Sequence, residues 1–207
     1  MNLDDAIKYL KAIDPTMNKI INSVGTYSIK IRHNPFLALV EAIIYQQLTG
    51  KAAQSIYQKF ISYYNNNNNE YELQPQYIIL TADNIMKSFG LSNKKIEYIK
   101  LLSTNIIKGN INLKSFEEKE DEEIINELTK LKGIGRWTAE IFLIFCLQRK
   151  DVFPLKDLGI KKAIQRWYSN SEYPNEQYII ELSNIWKPYR SIASWYLWKS
   201  LSNFDTI

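Results

Sequence analysis

In the stretch LKGIGRWTAE, Gly133 and Gly135 stand one residue apart in a chain with seven glycines among its 207 residues. Before them, Ile124, Ile125, Leu128 and Leu131 share one helical face, and after them Ile141 to Leu147 is apolar almost all round. The spacing predicts a helix capped at Gly133, a very tight hairpin, and a second, buried helix starting near Arg136. Such a hairpin bares backbone N–H groups at a helix N-terminus, and that end attracts an anion such as a phosphate. A tight hairpin whose glycines merely permit the turn has the same spacing. Further on, Asp157 precedes the periodic run LGIKKAIQRWY, where an aspartate is a standard helix N-cap.

Other chemistries lack their residues. The single cysteine, Cys146, excludes an internal disulfide and any four-cysteine zinc or iron–sulfur site, and within IFLIFCL it reads as a buried small hydrophobe. One histidine, His33, cannot build a histidine metal site and gives thin support for a Ser-His pair. A net charge of +4 tolerates a polyanionic partner without demanding one. The N-terminal MNLDDAIKYL is acidic and amphipathic, unlike a secretory signal, and no apolar run approaches membrane-spanning length. The expectation from these features is an intracellular protein with no membrane association.

The elements that must position these residues are helical. Ala6, Ile7, Leu10 and Ile13 mark a first helix ending at Asp14-Pro15. Thr26 to Arg32 alternates and is β-branched, so it reads as one short strand or an extended connector. Leu37, Val40, Ile43, Ile44, Gln47 and Leu48 are helical in phase, and a second phase runs from Ala52 to Phe60. The asparagines from Asn65 to Asn69 predict a polar loop tip. Further helices are expected over Gln76–Leu80, Ala82–Phe89, Asn93–Lys108 and Glu122–Lys132, with Glu117 to Glu123 forming a solvated loop and first helical turn. The fold class expected is all-α.

Five blocks along the chain resemble one family in order. LKGIGRWTAE resembles the helix-hairpin-helix element of the HhH-GPD DNA glycosylase superfamily, which includes endonuclease III and 3-methyladenine DNA glycosylase II. DVFPLKDLGI places Asp157 22 residues after Gly135, at the family's catalytic carboxylate. NPFLALVEAIIYQQLTGKAA resembles the helix pair carrying Gln46, Gln47 and Leu48, and GLSNKKIEYI resembles a further block. WKPYRSIASWYLW, Trp186 to Trp198, resembles the closing block of the alkylbase (3-methyladenine) branch.

The resemblance implies a two-lobed helical fold with a cleft between lobes: residues 34–150 as a helical barrel, and residues 1–33 with 151–207 as the second lobe. It implies double-stranded DNA containing a damaged base as partner, and a monomer. Gly133, Ile134, Gly135, Arg136 and Thr138 would meet the DNA backbone, with Lys94 or Lys95 as further phosphate contacts. Gln47 would also contact DNA, and Leu48 beside it would wedge into the space left by a flipped base, unless it is an ordinary apolar helix position. Trp137 and Trp198 would line the base pocket and stack on a cationic alkylated purine, each attraction being roughly 0.5–2 kcal/mol; their alternative is core packing. Two further pocket positions that are aromatic in some relatives are Ile141 and Leu158 here. No cofactor is required, although main-chain carbonyls of Thr129, Leu131 and Ile134 match a monovalent-cation site, and an iron–sulfur cluster is not expected.

The implied chemistry is hydrolysis of the bond between base and deoxyribose. Asp157 would stabilise the oxocarbenium-like transition state and help to orient or deprotonate water. In the endonuclease III branch a lysine occupies the position of Trp137 and forms a Schiff base with the sugar, so this chain lacks that nucleophile. Lys156 departs from the alkylbase branch, which often has a second aspartate there; it is expected to face solvent or phosphate. The product expected is an abasic site on an uncut strand. Two alternatives stay open: a non-catalytic binder of lesions or abasic sites, and a glycosylase for hypoxanthine or uracil.

Overall fold

A computed structural model describes residues 3–48, 50–67, 73–169 and 173–201. Among them all regular structure is helical, and the chain divides into two compact units.

One unit is the continuous stretch Arg32–Leu147. It contains α3 (Pro35–Tyr45), α4 (Gly50–Asn67), α5 (Pro75–Leu80), α6 (Asp83–Ser88), α7 (Asn93–Ile107), a 3-10 turn (Leu113–Glu118), α8 (Asp121–Leu128) and α9 (Arg136–Phe145), preceded in the chain by α1 (Leu3–Ile13) and α2 (Pro15–Val24). Helix α3 starts cleanly because Asn34 accepts the Leu37 N–H at 2.9 Å and Pro35 fills the first helical position, where no donor is needed. It packs against α4, α7 and α9, burying Leu39, Val40, Ile43 and Ile44. From Thr138 to Phe145 every residue of α9 is buried, as its all-round apolar pattern requires.

The other unit joins the residues up to Ile31 to those from Gln148 onwards. To α1 and α2 it adds α10 (Leu158–Tyr168), α11 (Glu176–Ile185) and α12 (Arg190–Lys199), with α12 packed on α1, α2 and α10. Asp14, 6% exposed, ties it together. One carboxylate oxygen accepts the Thr16 and Met17 N–H groups at 2.8 and 2.9 Å, and the other accepts Tyr168 Oη–H and the Trp186 indole N–H, both at 2.8 Å.

Several local expectations change. Asp14-Pro15 ends α1 but also starts α2, because the aspartate is an N-cap and the proline is tolerated at the first turn. Thr26–Arg32 forms no strand and is a connector whose last N–H, that of Arg32, donates to Phe145 O at 2.9 Å. Helix α4 runs on into the asparagines as far as Asn67, and Asn68 and Asn69 lie outside the described residues. The helix expected over Glu122–Lys132 stops at Leu128, because the chain then tightens through turns bonded Leu131 N to Leu128 O and Ile134 N to Leu131 O, both 3.1 Å.

Candidate active site

The two glycines of the hairpin between α8 and α9 serve different ends, and neither is the C-cap expected at Gly133, since Thr129 caps α8. Gly133 has φ +94, where a side chain is strained, and a Cβ there would lie 2.1 Å from the Tyr98 ring. The fold itself therefore requires Gly133. Gly135 is the N-cap of α9 with φ −92, a conformation open to any residue, and a Cβ there would meet nothing within 4 Å. Packing gives no reason for glycine at this exposed position. Among the described residues, no acceptor within the protein meets the N–H of Gly133, Gly135 or Arg136. The Ile134 N–H is occupied by Leu131 O, so Ile134 is a buried turn residue and not an open donor.

The Gln-Gln-Leu segment is fastened to this hairpin. Gln46 Nε2 donates to Gly133 O at 2.8 Å and to Thr138 Oγ1 at 3.0 Å. Thr138 is only 2% exposed, so its hydroxyl anchors Gln46 and does not face DNA as expected. Lys95 is likewise not a surface cation awaiting phosphate. Its Nζ donates to Ile44 O at 2.6 Å and Gln46 O at 3.0 Å, satisfying carbonyls at the end of α3. Burial makes its ammonium easier to deprotonate than usual. Beyond this clamp Gln47 takes φ +57, in the left-handed region, and Leu48 is 39% exposed. That geometry carries Leu48 off the helix into an exposed position, unlike the helical phase read for it.

Arg136 also differs from expectation. Its guanidinium pairs with both oxygens of Glu122, one of them at 3.0 Å, and its Nε donates to Glu140 Oε1 at 2.9 Å. The bidentate contact holds the Glu122 carboxyl below the usual carboxylate range. Trp137 is half-buried in the first turn of α9, and Ile141 is buried one turn later.

In the other unit, Asp157 is 7% exposed and is the N-cap of α10, as the periodic run after it foretells. Its Oδ1 accepts the Ile160 N–H at 2.8 Å and the Trp198 indole N–H at 2.9 Å. Trp198 is 1% exposed. A side chain so covered presents no ring face for stacking in this structure. Lys156 and Leu158, on either side of Asp157, are both exposed. The link between Trp198 and Asp157 spans 41 residues and has no periodicity to betray it.

An all-helical chain with a glycine hairpin at the N-terminus of a buried helix, and a buried aspartate capping the next, defines a helix-hairpin-helix protein. Residues 40–188 match the HhH-GPD superfamily of base excision DNA repair proteins, and the chain belongs to that family. It is 35% identical to DNA-3-methyladenine glycosylase 1 of Schizosaccharomyces pombe, over 96% of this chain and 88% of that protein. It is 32% identical to an alkylbase DNA glycosidase-like protein of the same yeast, over 94% and 92%. The solved structure of S. pombe 3-methyladenine DNA glycosylase in complex with abasic DNA superposes with a TM-score of 0.86 at 34% identity, covering 94% of this chain and 95% of that one. A DNA-3-methyladenine glycosidase from Bacillus halodurans superposes with a TM-score of 0.79 at 32% identity, covering 96% and 90%.

Proposed function

We propose that this protein is a monofunctional DNA glycosylase that hydrolyses the N-glycosidic bond of alkylated purines of the 3-methyladenine type in double-stranded DNA. The product is an abasic site, an intermediate of base excision repair. The observation that carries the reading is Asp157: a buried carboxylate with one oxygen held by two N–H donors, in a chain similar to 3-methyladenine glycosylases over nearly its whole length.

The hairpin amides of Gly133 and Gly135 receive a DNA phosphate, and the bare Gly135 leaves room for its close approach. Leu48 fills the gap left by the extruded nucleotide, whose removal from the stack costs a few kcal/mol. Trp137 lies against the base. A cationic alkylpurine is already a good leaving group, so one carboxylate suffices where sugar hydrolases use two. Positive charge grows on the deoxyribose as the bond breaks, and the fixed negative charge of Asp157 stabilises it while orienting the attacking water. Trp137 stands where strand-cutting relatives have lysine, so no amine is placed to form a Schiff base.

A monovalent cation on the carbonyls of Thr129, Leu131 and Ile134 belongs to the same reading. The Leu131 carbonyl accepts one hydrogen bond, from Ile134, and a carbonyl has two lone pairs, so it retains capacity for a ligand. A cation there would add positive charge beside the phosphate. Among the described residues no helix is long and apolar enough to cross a membrane, and the site of action is wherever the cell keeps its DNA.

The test is release of 3-methyladenine from methylated duplex DNA, with the strand remaining intact until the abasic site is cleaved by alkali. Asp157→Asn keeps an N-cap oxygen and hence the fold, and should lower release by about 10²-fold or more while DNA binding persists. Full activity in that variant would remove Asp157 from the mechanism.

A further inference from the structure

We propose that Trp198 is a positioning residue for hydrolysis, acting through its indole N–H on the Asp157 carboxylate and not through its ring face on the base. The inference rests on the reading of Asp157 as the catalytic group.

Three observations carry it. First, Trp198 is 1% exposed, so an aromatic contact with an extruded base would need the core to open. Second, its Nε1–H and the Ile160 N–H converge on the same oxygen, Oδ1, at 2.9 and 2.8 Å. The terminal torsion of an aspartate is broad and soft, so an N-cap bond alone leaves the carboxylate plane free to turn. A second donor, arriving from a different helix, fixes that plane and with it the orientation offered to the sugar. Third, α12 is anchored to the segment that leads into Asp157. Arg190 donates to Asp151 Oδ1 at 2.8 Å and Oδ2 at 3.0 Å, and the Val152 N–H donates to Ser191 Oγ at 2.9 Å. The helix carrying the indole is thus tied down at its first turn, two turns before Trp198. Hydrogen bonds hold one end of this arrangement and the donor acts at the other.

An interaction that orients a group for the transition state affects the chemical step and leaves ground-state binding alone. The experiment compares the full-length protein with Trp198→Phe and with a variant carrying β-(3-benzothienyl)alanine at position 198. The second keeps the bicyclic shape but has no N–H, so it serves even where phenylalanine leaves a cavity that impairs folding. Single-turnover excision from methylated duplex DNA and affinity for an abasic-site duplex are measured for both, alone and combined with Asp157→Asn. Loss of the N–H should slow excision about tenfold or more while affinity for abasic DNA stays within about twofold. In the Asp157→Asn background the same change should slow excision no further, because Trp198 acts through that carboxylate. A benzothienyl variant excising at the unaltered rate, with Asp157→Asn inactive, overturns the role of Trp198. A loss of affinity with an unchanged rate also overturns it, in favour of stacking. An active Asp157→Asn instead overturns the underlying assignment of the carboxylate.

Discussion

At the scale of single residues, the two hairpin glycines answer to different demands, and substitution separates them. Gly133→Ala meets both a left-handed backbone and the Tyr98 ring, so thermal denaturation should show a loss of about 2–4 kcal/mol. Gly135→Ala meets neither and loses only the preference of an N-cap for glycine over alanine, so its stability should fall by no more than about 1 kcal/mol while affinity for DNA drops. Gly135→Asp sharpens the contrast. An aspartate is a better N-cap than glycine and suits the helix dipole, so the melting temperature should rise, yet its charge would repel a phosphate. Higher stability together with undiminished DNA binding would refute the phosphate site at the hairpin. The glycine spacing and Asp157 were legible in sequence because caps and tight turns are local. Tyr98 against Gly133 and Trp198 against Asp157 were not, since each joins residues whose separation along the chain follows no period.

At the scale of elements, the acidic start of α8 acts on the start of α9. Glu122 holds Arg136 in a bidentate pair, so the arginine nearest the hairpin is engaged within the protein. Glu122→Gln should release the two terminal nitrogens of Arg136, leaving the Nε bond to Glu140, and so tighten DNA binding and steepen the salt dependence of log K by about 0.9, the increment for one additional phosphate contact. The effect should depend on pH with a definite sign. Arg136 keeps Glu122 ionised below the usual carboxylate range, so the pair persists on mild acidification. At lower pH, protonation of Glu122 opens the pair in the parent protein, and its affinity should converge on that of the variant. An affinity unchanged by Glu122→Gln at every pH would show that Arg136 has no latent role at DNA. The run Glu117 to Glu123 reads in sequence as a solvated face, and most of it is exposed; the partner of Glu122 becomes visible only when the hairpin folds α9 back on α8. Lys95 is similar. Sequence reads a basic surface residue, whereas its ammonium satisfies the Ile44 and Gln46 carbonyls, and Lys95→Met should cost about 1–2 kcal/mol in a denaturant titration.

At the scale of the whole molecule, one unit is an uninterrupted stretch and the other is assembled from the two flanks of that stretch. Helical periodicity revealed the α-helices of the continuous stretch and α1 and α10 of the other unit, because burial of one face is written into local spacing. It missed α11, α12 and α2, the last because its start depends on Asp14 serving as a cap when the preceding Asp-Pro signals only an end. Asp14→Ala removes the acceptor for four donors, including the Tyr168 hydroxyl and the Trp186 indole, and should destabilise the protein by about 3 kcal/mol or more in calorimetry. Asp14→Asn, which keeps one acceptor oxygen, should lose less.

Asp14 and Trp186 are 172 residues apart, and this bears on how the protein is made. A ribosome adding about 5–20 residues per second takes roughly 9–34 s to pass from one to the other. For most of that interval α1 and α2 have neither the indole, nor Tyr168, nor α12 to pack against, and Leu10, Met17 and Ile20 lack part of their cover, while Arg32–Leu147 can already collapse on its own apolar residues. The nascent chain therefore carries an uncovered amphipathic helix pair ahead of a folding bundle until the ribosome has passed Trp186 and α12.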